Sequence, residues 1–196
     1  MKGGGAVKVL GQRTLNRALL GRNLLLERAE LPVTEAVEHL VGLQAQEPQE
    51  PYVGLFARLA DFDPLEPSRL LEQRALVRTL MMSRTIHLMT ATDCLALRGL
   101  HQPMLAQRAR SVLRRSLVGV DEVELAAAGY PLFHTEPRQL TEVGRALLGR
   151  QAGPARNTTI AAWLGREHEP EAEPDELVLR YLDAFGPAAG ADICPG

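Results

Sequence analysis

The feature that most constrains this chain is a change of hydrophobic period near residue 76 of its 196 residues. Ahead of that point the apolar residues keep helical spacing. Leu15, Ala18 and Leu19 do so over Thr14–Leu20, with Thr14 as the expected cap. After Pro32, the positions Val33, Ala36, Val37, Leu40 and Val41 follow i, i+3, i+4, i+7, i+8, the stripe of an amphipathic helix. A third helix is predicted from Tyr52 to Ala60, with Val53, Phe56 and Ala57 on its apolar face, and a fourth from a Ser68 cap to about Arg74. The period then drops to two. Val77–Met82 and Thr85–Thr90 read as the two strands of a hairpin around Ser83 and Arg84. Short helices followed by a hairpin is the order of a winged helix, a DNA-binding design in which the hairpin is the wing.

Helical spacing returns at Ala91–Leu100 and, after Pro103, through Arg115. Asp121–Ala128, Gln139–Leu148 and Asn157–Leu164 are shorter helical patterns. Glu167–Glu176 is acidic and broken by prolines, the composition of a solvated linker, and a last helix is expected from about Glu176 to Phe185. Only 4% of the residues are aromatic, so Leu, Ala and Val must build the core, which favours helices over sheets. The expected fold is mostly α-helical. A winged-helix domain occupies residues 1–118, a reduced second helical or winged-helix unit 119–166, and an acidic linker with the start of an incomplete third unit 167–196.

Composition narrows the setting. No segment approaches the roughly 18 apolar residues of a membrane span. The two cysteines, Cys94 and Cys194, are far apart, which fits a reduced cytoplasmic compartment. A metal site is not expected, because His39, His87 and His101 have no acidic or thiol partner at ligand spacing. No cofactor is expected either, and a monomer is the simplest state. The net charge of -2 conceals an asymmetry: residues 1–119 hold 16 Lys and Arg against 11 Asp and Glu, and the remainder hold 6 against 13. A basic front half is compatible with a DNA-facing surface.

Three groups of residues could carry chemistry. Extending the second helical stripe from Val33 lands on Gln44, where an inward-facing amide needs hydrogen-bond partners, and Gln46 follows just before Pro48. Two carboxamides around one helix end could hold a water or a base edge. The same residues also fit a capped helix end with Gln46 in solvent. In the hairpin, Arg84 and Thr85 could meet phosphate while His87 faces a nucleotide, or His87 could simply be hydrogen-bonded within the wing. Arg108, Arg110, Arg114 and Arg115 lie on one helix with Arg98 and His101 nearby. They read as a phosphate-tracking surface or as a solvated face. The like charges Arg110 and Arg114, at i and i+4, favour the first because an anion would relieve them.

Several segments in order carry a family resemblance. They are Leu15–Leu20, Val37–Pro48 with its Gln44-Ala45-Gln46, Pro51–Leu55, Leu76-Val77-Arg78 and Arg84–Leu88. Together they resemble the winged-helix DNA-binding family of AlkZ- and YcaQ-type DNA glycosylases, densely over residues 13–110 and patchily afterwards. The resemblance implies that Gln44 and Gln46 are catalytic, as the Gln-x-Gln or Gln-x-Asp pair of that family is. It also implies hydrolysis of the N-glycosidic bond of N7-alkylated purines in alkylated or crosslinked double-stranded DNA. Gln139–Arg150 resembles the start of a second winged helix and Asn157–Gly165 the end of one, so a shortened form of the family is expected. The rivals are a non-catalytic winged-helix DNA-binding protein or regulator, and an inactive truncated remnant.

Overall fold

The computed structural model describes residues 10–113, 160–166 and 173–186. Helix α1 spans Gln12–Arg22, α2 Val33–His39, and a short strand β1 Leu43–Gln44. Helices α3, Glu50–Phe56, and α4, Glu66–Glu72, precede the hairpin of β2, Leu76–Leu80, and β3, Ile86–Thr90. Helix α5 covers Ala91–Leu113, α6 Ile160–Leu164 and α7 Pro174–Phe185. The described residues are mostly helical around one small antiparallel sheet of order β1-β3-β2. None of their helices is long and apolar enough to cross a membrane.

The sheet is a middle layer. Side chains alternate along a strand, so β2 and β3 can feed two cores at once. Leu76 and Leu88 face α2, α3 and α4, packing with Val37, Leu40, Leu55 and Leu71. Val77 and Met89 face the other way, toward Cys94, Leu95 and Leu97 of α5 and Ile160 of α6. Every residue of β2 is buried as a result, including Arg78 and Thr79.

Three helices end in the same way. At α2 the amide of Gly42 donates to Val37 O at 2.9 Å and that of Val41 to Glu38 O at 3.0 Å, with Val41 in the left-handed region at φ 54°. This is a Schellman closure, and glycine usually takes the left-handed position. Leu24 after α1 (φ 58°) and Arg74 after α4 (φ 64°) make the matching bonds. The α2 closure overturns the expectation that its stripe runs on to Gln44. The helix stops at His39, and Gln44 lies on β1 opposite His87.

Other expectations shift for identifiable reasons. Thr14 and Ser68 are inside α1 and α4 rather than capping them. Ser68 is buried, and its hydroxyl is hydrogen-bonded to that of Tyr52 at 2.7 Å. Helix α3 buries Pro51, Tyr52 and Leu55, while Val53 and Phe56 face outward, with Arg28 stacked on the Phe56 ring. The competing stripe Tyr52, Leu55, Leu59 has the larger apolar payload and takes the core. Helix α5 runs through Pro103 instead of breaking there. Its first turn is secured by Thr90, whose hydroxyl accepts the Asp93 amide at 3.1 Å.

Of the expected second unit, Asp121–Ala128 and Gln139–Leu148 lie outside the described residues, and Asn157–Leu164 is represented by α6. The acidic run continues into the first turn of α7, where Asp175 and Glu176 suit the helix dipole. Helix α7 docks beside α1, α2 and the start of α5. Arg180 pairs with Asp93 at 2.6 and 2.7 Å and donates to Glu38 O at 2.7 Å. Asn23 Nδ2 donates to Ala184 O and Arg22 to Gly186 O, each at 2.7 Å.

Gly42 has φ +100°, and a Cβ there would stand 3.1 Å from Met89 Cγ and 3.2 Å from the Leu88 carbonyl oxygen. Gly42→Ala is therefore expected to lower unfolding stability by about 1–3 kcal/mol, read from denaturant or thermal melts. A wild-type midpoint would contradict this account of the α2–β1 turn.

Candidate functional site

The Val41-Gly42 turn delivers β1 to the sheet edge, where Leu43 pairs with Leu88 and Gln44 with His87. Directly opposed residues of an antiparallel pair share a face, so Gln44 and His87 are neighbours on the side toward α5. Leu43 and Ala45 point the other way into the core, leaving Gln44 and Gln46 exposed. The two amides are thus presented by a strand and the residues just after it, not by a helix end.

What holds this segment is Arg78, only 1% exposed. Its Nε donates to Ala45 O at 2.9 Å and a terminal nitrogen to Gln46 O at 3.0 Å. The Ala45 amide completes the attachment by donating to Ile86 O at 2.8 Å. Hydrogen bonds from a charged donor in a buried setting contribute about 1.5–3 kcal/mol each. The backbone carrying both glutamines is therefore fixed from below while their side chains stay accessible. The Gln46 Oε1 accepts a long bond of 3.4 Å from the Ile86 amide, which an exposed amide can leave at little cost.

Gln44 and His87 open into a cleft of about 450 Å³. Its lining also includes Asn23, the α2–β1 turn, Glu50 and Arg58, Met82 and Ser83 of the hairpin tip, and Tyr181 and Phe185 of α7. Gln46 is outside this lining, so the two amides do not share one wall. Arg58 is half-buried and turned to Asn23 O at 2.9 Å and Gly54 O at 2.8 Å. Its burial lowers its pKa, though a guanidinium stays charged. His87 Nδ1 lies 3.1 Å from Thr85 O. In neutral imidazole the proton on that nitrogen makes this bond, leaving Nε2 as an acceptor.

The remaining candidates separate. Arg84 is exposed at the hairpin tip, where it and Ser83 adopt left-handed backbone. The Thr85 hydroxyl donates to Met82 O at 3.2 Å. Arg108 and Arg110 are on α5, but their side chains, together with Arg114 and Arg115 entirely, lie outside the described residues. Arg98 is not on a phosphate-tracking surface. It is buried under the sheet, reaching Leu80 O at 3.3 Å and Thr79 Oγ1 at 3.5 Å. His101 is half-buried with Nδ1 2.9 Å from Leu97 O. Among the described residues no three His, Cys, Asp or Glu side chains are grouped as metal ligands. The lone described thiol, Cys94, is pushed up to about 12 by burial, which leaves it unreactive.

Sequence patterning passed over Arg78, Arg58, Tyr181 and Phe185. Arg78 carried a usable signal, a charge inside an otherwise apolar strand, where burial demands partners. The α7 aromatics carried none, since nothing local shows which surface that helix joins.

Burial is the main cause that lowers the pKa of both His87 and His101, with a contribution to His87 from His101 and to His101 from Arg98. The folded protein keeps them neutral, whereas the unfolded chain takes up protons below about pH 6.5. Their contribution to stability is complete above that value and is lost as pH falls through the lowered folded values. The melting temperature should drop between about pH 7 and pH 5, less steeply in a His87→Asn, His101→Asn double variant. Equal slopes in the two proteins would remove these histidines from the account.

The comparisons with known proteins agree with this architecture. The sequence profile described as DNA glycosylase AlkZ-like matches residues 37–169, well over half of the chain and including β1, the hairpin and α5. No functionally curated protein matches in sequence. Among solved structures, the DNA glycosylase AlkZ of Streptomyces sahachiroi superposes with a TM-score of 0.57 at 20% identity. The match covers 92% of this chain and 59% of that one, so the chain spans about three-fifths of its relative's length. With the profile match extending over the Gln44–His87 sheet, the chain belongs to the AlkZ-like DNA glycosylase family.

Proposed function

We propose that this chain is a winged-helix DNA-binding protein that hydrolyses the N-glycosidic bond of N7-alkylated purines in double-stranded DNA, alkylated or crosslinked. The observation that carries the reading is the pairing of Gln44 with His87 at an open cleft, on a backbone anchored by buried Arg78. The order α2-β1-α3-α4-β2-β3, with β1 paired to β3, supports the winged-helix assignment and makes β2-β3 the wing. Residues 1–118 are the DNA-binding unit in this reading, with 119–166 a reduced second unit and 167–196 an acidic linker and the start of an incomplete third unit.

The chemistry suits neutral amides. An N7-alkylated guanine already carries positive charge, so it departs without a proton from an acid. The developing oxocarbenium ion then requires a positioned water and a polar surround more than a strong base. Gln44 orients that water, with the neutral Nε2 of His87 beside it as a second acceptor. Gln46 joins by leaving its long bond to the Ile86 amide. Ordinary bases, with stronger glycosidic bonds, are left intact. Arg84 and Thr85 of the wing meet phosphate in this reading, and Arg108, Arg110 and Arg114 are proposed as further phosphate contacts.

Release of 7-methylguanine from alkylated duplex DNA tests this. Gln44→Ala should reduce the rate by about 10²–10³ while leaving DNA affinity near wild type. Gln46→Ala should reduce it less. Arg84→Ala should instead weaken binding to all duplexes and lower the salt slope by about one. A wild-type protein that binds duplex DNA through Arg84 but releases no base would favour the non-catalytic binder. No release together with weak binding of little salt dependence would mark an inactive remnant.

A further inference from the structure

Helix α7 comes from a distant part of the sequence to wall the Gln44 cleft, and it brings two aromatic rings there. Tyr181 and Phe185 are one turn apart, both half-buried, with centroids 5.1 Å apart and planes at 28°. Anchors at both ends hold the helix. Arg180 joins it to Asp93 and to Glu38 O, and Arg22 and Asn23 hold the carbonyls of Gly186 and Ala184. The wall is thus pre-set before any ligand arrives. The cleft volume of about 450 Å³ falls within the range of small-molecule sites, about 300–1,000 Å³.

Glu50 and Arg58 both stand in the lining, the carboxylate accepting the Glu47 amide at 3.0 Å and the guanidinium turned to backbone carbonyls. Their charges offset each other, so the rings set the preference. An aromatic face attracts a planar cation by its quadrupole and by stacking. We infer that Tyr181 and Phe185 form a stacking wall that takes the cationic N7-alkylated purine and discriminates it from neutral purines. This rests on the glycosidic-bond reading for its biological substrate, but the wall's preference for a cationic purine can be measured without any catalysis. The preference arises at the wall, separately from the water held at Gln44, so binding and chemistry respond to different substitutions.

The test is titration of the full chain with 7-methylguanosine and with guanosine, followed by NMR. Wild-type protein should bind the cationic nucleoside about tenfold more tightly and show contacts between its N7 methyl and the Tyr181 or Phe185 ring protons. Tyr181→Phe should keep that preference. Tyr181→Leu, which retains apolar bulk without the π face, should lose most of it and raise KM for alkylated duplex with little change in kcat. Equal affinity of wild type for the two nucleosides, or an N7 methyl without ring contacts, would overturn the proposal without relying on any variant. Base release that depends on Gln44 but is unchanged by Tyr181→Leu would also overturn it while sparing the proposed reaction. A preserved nucleoside preference with no base release would do the reverse.

Discussion

A buried guanidinium holding two backbone carbonyls is the contact on which the rest of this structure depends. Arg78 belongs to the middle of β2, yet its donors serve Ala45 and Gln46, beyond the neighbouring strand β3. A charge taken out of water is costly unless its donors are met, and here Nε and one terminal nitrogen are met by the carbonyls of the Gln-x-Gln segment. The cost of burying Arg78 is thereby coupled to the placement of that segment. Lysine would offer a point charge in place of a planar fork and could not satisfy both carbonyls with the same geometry.

Around that contact the cleft is assembled from parts that meet only in three dimensions. The left-handed Val41-Gly42 turn aims β1, the hairpin supplies His87, and α7 adds Tyr181 and Phe185 to the lining. Placing a valine in left-handed backbone costs about 1–2 kcal/mol. Complete burial of the same side chain against Met89 and Cys94 offsets it. A non-glycine residue in that conformation beside the candidate site fits the general finding that backbone strain collects where geometry matters most.

Much of this was legible in the sequence, and the omissions have physical causes. The hairpin was visible because its period-two run is bounded by Ser83-Arg84, and the α2 stripe because its five apolar positions have no gap. The end of α2 was hidden because the left-handed position is Val41, whose own side chain prolongs the apolar stripe. That error turned Gln44 into a helical, inward-facing residue, whereas it lies exposed on β1. Strand β1 has two residues and shows no period at all. The α3 face was misassigned because Val53 and Phe56 compete with Tyr52 and Leu55, and the larger apolar payload of the stripe that Leu59 extends was not weighed. Arg78 stood within the family-like segment Leu76-Val77-Arg78, but its role depends on a register that joins residues more than thirty positions apart.

The central claim is that Arg78 fixes the backbone from which Gln44 acts. Its most direct measurement is single-turnover release of 7-methylguanine by Arg78→Lys protein that melts cooperatively and binds duplex DNA. The account predicts a rate at least about tenfold below wild type, because two charge-assisted bonds lose their geometry. A rate equal to wild type would show that the glutamines do not need this anchor, and would contradict the account.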